Sequence, residues 1–136
     1  MSNFIYGKAK EAFFKGEINI ESNDFKVCFI QTNNYTPSEN TDEFLSDIPT
    51  LAKVYKSSSL SNITNVLGTL DANDLSENYN GSAFQAIVLY QHGTTDAESR
   101  LISFIDESEG LPFPGTLQPS TIALQWNNDS TKIITI

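Results

Sequence analysis

A chain of 136 residues with 8 Lys and Arg against 17 Asp and Glu carries a formal charge of −9. That length suits one domain, here 1–136, large enough to bury a real core, and 39% hydrophobic against 18% charged residues excludes disorder driven by low hydrophobicity. Forty Ser, Thr and Asn compete with helical backbone for hydrogen bonds, which disfavours a helical bundle. The acidic balance (pI ≈ 4.3) and the lack of a basic patch argue against nucleic acid and against an anionic membrane surface as partners.

Ser2 or Asn3 stands where a helix cap would, and Ile5, Ala9, Ala12 and Phe13 follow helical spacing. Phe4 and Tyr6 flank that stripe, Lys8, Lys10, Glu11 and Lys15 fall opposite, and Gly16 follows the last turn, so residues 1–16 are predicted as an N-terminal helix unit. Ile18 to Ile20 alternates, and Phe25–Gln31 reads as a strand, the two forming a hairpin or one bent strand. The eighteen-residue connection Thr32–Pro49 is too long to be idle in a compact domain. It is expected to hold a short helix through Phe44 and Leu45 and to pack Phe44, Leu45 and Ile48 over one end of the core, while Tyr35 and Tyr79 lie exposed in polar loops.

Leu51–Lys56 and Ile63–Leu70 are the next strand candidates, the second weakened by Gly68, and Asp71–Gly81 reads as turn. The run Ala86-Ile87-Val88-Leu89-Tyr90 within Ser82–Gln91 suits a central strand buried on both faces. Arg100–Asp106 is a further strand, and Glu107–Pro119, with two Gly and three Pro, a rigid loop. Thr121–Trp126 and Ile133–Ile136 are expected to pair as a hairpin across Asn127–Ser130. The predicted fold is therefore mainly β, an antiparallel β-sandwich or barrel of seven or eight strands with one N-terminal α-helix.

Catalytic and metal chemistry find little support. His92 sits in a turn beside Gly93 with no nucleophile elbow in the chain. Cys28, between Val27 and Phe29, reads as an inert strand residue, and one His with one Cys cannot build a zinc site without carboxylates. Asp71–Glu77 departs from a calcium loop at Leu75 and Ser76, and Ser82 stands where the bidentate Glu belongs. Asp96/Glu98 and Asp106/Glu107/Glu109 read as turn acids rather than paired catalytic carboxylates. No phosphate-binding glycine motif occurs. No catalytic residue, cofactor or metal is expected. Nor does the start carry a basic segment followed by an apolar run, so no secretory signal is expected, and no window approaches a membrane span.

Tyr6-Gly7-Lys8-Ala9-Lys10-Glu11-Ala12-Phe13-Phe14-Lys15-Gly16-Glu17-Ile18, Phe25-Lys26-Val27, Tyr35-Thr36-Pro37 and Glu43-Phe44-Leu45-Ser46-Asp47-Ile48-Pro49 together resemble a small phage-encoded family of virion structural proteins. Ser99-Arg100-Leu101-Ile102-Ser103-Phe104-Ile105-Asp106, Gly110-Leu111-Pro112, Ile122-Ala123-Leu124-Gln125-Trp126-Asn127-Asn128 and Lys132-Ile133 extend the resemblance nearly end to end. It implies a non-enzymatic capsid cement or decoration protein, made in the host cytoplasm and located in the virion. Its partners would be the major capsid protein or other virion subunits and its own copies, a trimer being preferred. The alternative is a tail or baseplate component, or a receptor- or glycan-binding module. Phe4, Tyr6, Tyr35, Phe44 and Phe113 are the candidate interface residues.

Overall fold

In a computed structural model, residues 3–20, 24–79, 84–106, 120–124 and 134–135 are described. They form a mainly β structure with one helix, and every strand pair is antiparallel. The strands are β1 (Phe4–Ile5), β2 (Phe25–Ile30), β3 (Lys53–Lys56), β4 (Thr64–Val66), β5 (Thr69–Asp71), β6 (Leu75–Tyr79), β7 (Ala86–Gln91), β8 (Arg100–Ile105), β9 (Ser120–Leu124) and β10 (Ile134–Thr135). The helix α1 spans Gly7–Phe14. The main sheet runs β1-β8-β7-β2-β3, beside a three-stranded β10-β5-β4 sheet and the pair β6-β9.

The apolar run at 86–90 takes the place its composition demands. β7 is the middle strand of five, and Ala86 to Tyr90 are all buried. Successive strand side chains point to opposite faces, so unbroken burial along a central strand requires cover on both sides. Ring packing follows the same division. Val88 is opposite both Cys28 and Phe104, which therefore share a face, whereas Phe29 points the other way. On the Phe104 side, Phe4 stacks on Phe104 at 5.5 Å and meets Tyr6 edge-on at 5.0 Å. On the Phe29 side, Phe84 stacks at 4.2 Å and Tyr55 tilts against the same ring at 5.2 Å.

The N-terminus departs from the predicted helix. Phe4 and Ile5 pair with Phe104 and Ser103, and the helix begins only at Gly7. Backbone bonds decide this: Tyr6 donates its N–H to the Ile102 carbonyl, and Ser103 Oγ donates to the Phe4 carbonyl, satisfying groups that an earlier helix start would turn away. Asn3 caps no helix; its Oδ1 accepts from the Asp106 N–H. The helix end matches the expectation, with Gly16 in the left-handed region at φ +75°.

Other expectations shift as well. Ile18 to Ile20 forms no strand. Ile63–Leu70 is two strands, β4 and β5, joined across Leu67-Gly68. Leu75–Tyr79, within the stretch predicted as turn, is β6. Among the described residues the expected final hairpin is not seen; β9 pairs with β6 and β10 with β5. The Glu107–Pro119 loop and the Asn127–Ser130 turn lie outside the described residues. The long 32–49 connection behaves largely as predicted. Short 3₁₀ turns at Thr32–Asn34 and Leu45–Asp47 replace the helix, and Leu45 and Ile48 are buried with Phe44 partly so.

Candidate interaction surface

The five residues named as interface candidates separate on folding. Tyr6 and Tyr35 are buried, so neither presents a surface, and the expected exposure of Tyr35 is corrected. The reason is a hydroxyl chain. Tyr35 Oη donates to Asp42 Oδ2 at 2.7 Å and so has only its lone pairs to offer Tyr6 Oη, 2.9 Å away, which donates to it. Burial, foremost, raises both phenol pKa values. Asp42 Oδ2 also accepts from the Ser38 N–H, and Gly7 donates its N–H to the Glu39 carbonyl, so this chain clasps the start of α1 to the 35–42 segment. Phe4 lies half-buried against Phe104 and Tyr6. Phe44 is half-buried too, bridged to Arg100 in backbone pairing and covered by the Arg100 guanidinium 5.6 Å from its ring centroid. Phe113 and Tyr79 lie outside the residues whose side chains are described.

Charged groups at the β3 edge are paired. Lys53, whose side chain is 8% exposed, donates to Asp96 Oδ2 at 2.6 Å and to the Leu45 carbonyl, while Lys56 reaches Asp96 Oδ1 at 2.5 Å. Burial opposes ionisation of Asp96, but hydrogen bonds from both lysines and their charges outweigh it and hold the carboxyl below its ordinary range. Asp96 thus serves as a counter-ion between two strand lysines, and Glu98 accepts from the Thr95 hydroxyl. His92 is exposed, its N–H donated to the Asp24 carbonyl. Among the described residues no group of three or more His, Cys, Asp or Glu side chains gathers as metal ligands would, and no helix is long and apolar enough to cross a membrane.

Cys28 is fully buried, and loss of solvation, foremost, pushes its thiol up to about 12. Only the thiolate attacks alkylating reagents. Native protein at pH 8 is therefore expected to resist iodoacetamide for hours, and denatured protein to react within minutes; mass spectrometry of the adduct checks this.

The conspicuous surface is apolar. Four large hydrophobic side chains stand exposed among the described residues: Phe14, Leu51, Val66 and Leu67. Val66 and Leu67 form the tip of the β4–β5 hairpin, whose register pairs Val66 with Thr69 across the two-residue loop Leu67-Gly68. Both loop residues have positive φ, +53° and +82°, the mirror-image turn that matches strand twist and normally carries Asn-Gly. Asn65 Oδ1 accepts from the Gly68 N–H at 3.1 Å and fixes the turn. Leu67 is 97% exposed in a backbone region that costs a non-glycine residue about 1 kcal/mol or more. All three residues of β4 are exposed, and among the described residues no strand covers its outer edge.

Sequence reasoning passed over this tip because a leucine stood where the turn calls for asparagine. Gly68 between two alternating segments was the available signal. Phe14 was also missed, although it sits one residue beyond Phe13 and so leaves the buried stripe of α1. No protein-family model matches the sequence, and no curated protein matches it significantly.

Proposed function

We propose that this chain is a non-enzymatic virion structural protein, a capsid cement or decoration protein that acts through its folded exterior on capsid subunits and on its own copies. The fold inferred for that role is a β-sandwich, with the five-stranded sheet packed against the smaller sheets.

The observation that carries the reading is Leu67. A fully exposed leucine held at positive φ worsens both solvation and backbone energy, so the stability of the isolated chain does not account for it. A protein surface that receives the tip does account for it. The edge of β4 beside the tip, which no strand covers among the described residues, supplies backbone groups for strand addition. The acidic exterior suits an abundant particle protein that must stay soluble.

Two measurements test this. Leu67→Asn is expected to raise stability by about 1 kcal/mol, because asparagine tolerates the left-handed turn, while incorporation into assembled particles falls at least tenfold. A variant that gains stability and incorporates as well as the parent sinks the reading. Quantitative mass spectrometry of purified phage particles gives the direct answer: hundreds of copies per particle fit a cement protein, a handful fit the tail alternative, and absence excludes both.

A further inference from the structure

We propose that copies of this chain join head to tail, the outer face of α1 on one copy docking against the Leu51 shoulder of the next. The contact rests on the structural role above for its purpose, and it names the surfaces by which the copies would meet.

The first surface is the C-terminal half of α1. Phe14 is 89% exposed, with Lys10 one helical turn before it and Lys15 directly after. Both lysines are exposed, and the nearby Glu11 is engaged by Lys8 at 3.6 Å. Three of the eight basic residues of a strongly acidic protein thus lie in this short helix or directly after it, and two of them, Lys10 and Lys15, flank Phe14.

The second surface has the opposite character. Leu51 is 77% exposed beside exposed Pro49 and Thr50. From Val27 to Ala52 the chain contains four carboxylates, Glu39, Asp42, Glu43 and Asp47, and no basic residue. Asp47 is exposed and four residues from Leu51, its Oδ2 accepting from the Glu43 and Phe44 N–H groups, which leaves its charge in place. Of the four, Glu43 is taken up by Arg100 at 3.8 Å, Asp42 accepts from the Tyr35 hydroxyl and the Ser38 N–H, and Glu39 lies at the start of α1. Asp47 is therefore the carboxylate left to the Leu51 shoulder, while Lys53 and Lys56 are held by Asp96.

An aromatic anchor flanked by two exposed lysines and an aliphatic anchor four residues from an exposed carboxylate complement each other in apolarity and in sign. Because the two surfaces differ, the contact is heterologous, and repetition closes a ring when the rotation between copies allows it. The β4–β5 tip takes no part and stays available for the shell.

The test uses the full chain in solution, followed by sedimentation velocity from micromolar to near-millimolar concentration. The parent is expected to form a closed oligomer. Phe14→Asp and Leu51→Asp, both at exposed positions and with folding checked by circular dichroism, are each expected to be monomeric, losing tenfold or more in association. Their equimolar mixture is expected to give a one-to-one dimer and nothing larger, since one variant retains the donor face and the other the acceptor. Lys10→Glu with Lys15→Glu is expected to weaken association about tenfold. A parent that stays monomeric, a Leu51→Asp chain that assembles like the parent, or a charge-reversed chain with unchanged association overturns the proposal. A monomeric chain that is nonetheless abundant in particles removes this contact and leaves the virion reading standing; an oligomer absent from particles does the reverse.

Discussion

Phe29→Ala is expected to cost about 3–5 kcal/mol, the range for deleting a fully buried phenylalanine. Phe29 is wholly inaccessible, near the C-terminal end of β2, stacked on Phe84 and tilted against Tyr55. Its loss opens a hole on the sheet face beside Phe84 and Tyr55 that a strand pinned by backbone bonds on both sides cannot collapse to fill. Against a total stability of about 5–15 kcal/mol for a domain, urea denaturation should show the midpoint falling by about a fifth or more with little change in slope. Phe29→Leu keeps most of the volume and should lose less than half as much. Equal losses in the two variants would mean that the ring packing contributes nothing beyond hydrophobicity.

Asp96→Asn is expected to cost about 2 kcal/mol at neutral pH. Removing one partner of a buried ion pair costs about 3–5 kcal/mol, and the 33% exposure of Asp96 lets water screen part of that. Lys53 is the buried partner; without the carboxylate it keeps only the Leu45 carbonyl among the two contacts described for its ammonium group. The pH dependence follows from the direction of the shift. Lysine hydrogen bonds and charges, winning over burial, depress the folded pKa of Asp96 below 3.8. Its contribution is therefore present above the unfolded value and fades as pH falls through the folded one. The gap between parent and variant should be constant from pH 5 to 8 and close towards pH 2. A gap that persists in acid would assign the loss to altered packing.

Three of the strands that sequence reading located are buried along nearly their whole length. At Phe25–Ile30, Ala86–Gln91 and Arg100–Ile105 the apolar runs are long enough that no exposed placement is affordable. The stop at Gly16, the anchoring of Leu45 and Ile48 and the exposure of His92 were legible for similarly local reasons. Several elements of two or three residues were not. Phe4-Ile5 matches a helix start as well as an edge strand, and only the Ile102 carbonyl and the Ser103 hydroxyl choose between them.

Polar groups gave the most misleading local signals. Ser57 reads as part of a serine-rich break, yet it is buried, donating its backbone N–H to the Val27 carbonyl and accepting the Val27 N–H on its hydroxyl oxygen. Tyr35 stands among polar neighbours and is nonetheless drawn inward by Asp42 and Tyr6. Gly93 looks like an ordinary turn glycine, but a Cβ there would come within 2.5 Å of the Glu98 carbonyl oxygen, a close approach between backbone segments that no spacing rule reveals.

The sequence by itself determined a mainly β, antiparallel structure with a single early helix, because side-chain period and backbone preference are local properties that each segment carries with it. Which strand lies beside which was decided by the tertiary structure. β9 finds β6 and β10 finds β5, and Tyr35 goes inside rather than out, because pairing and burial depend on groups distant in the chain that meet only once the core has formed.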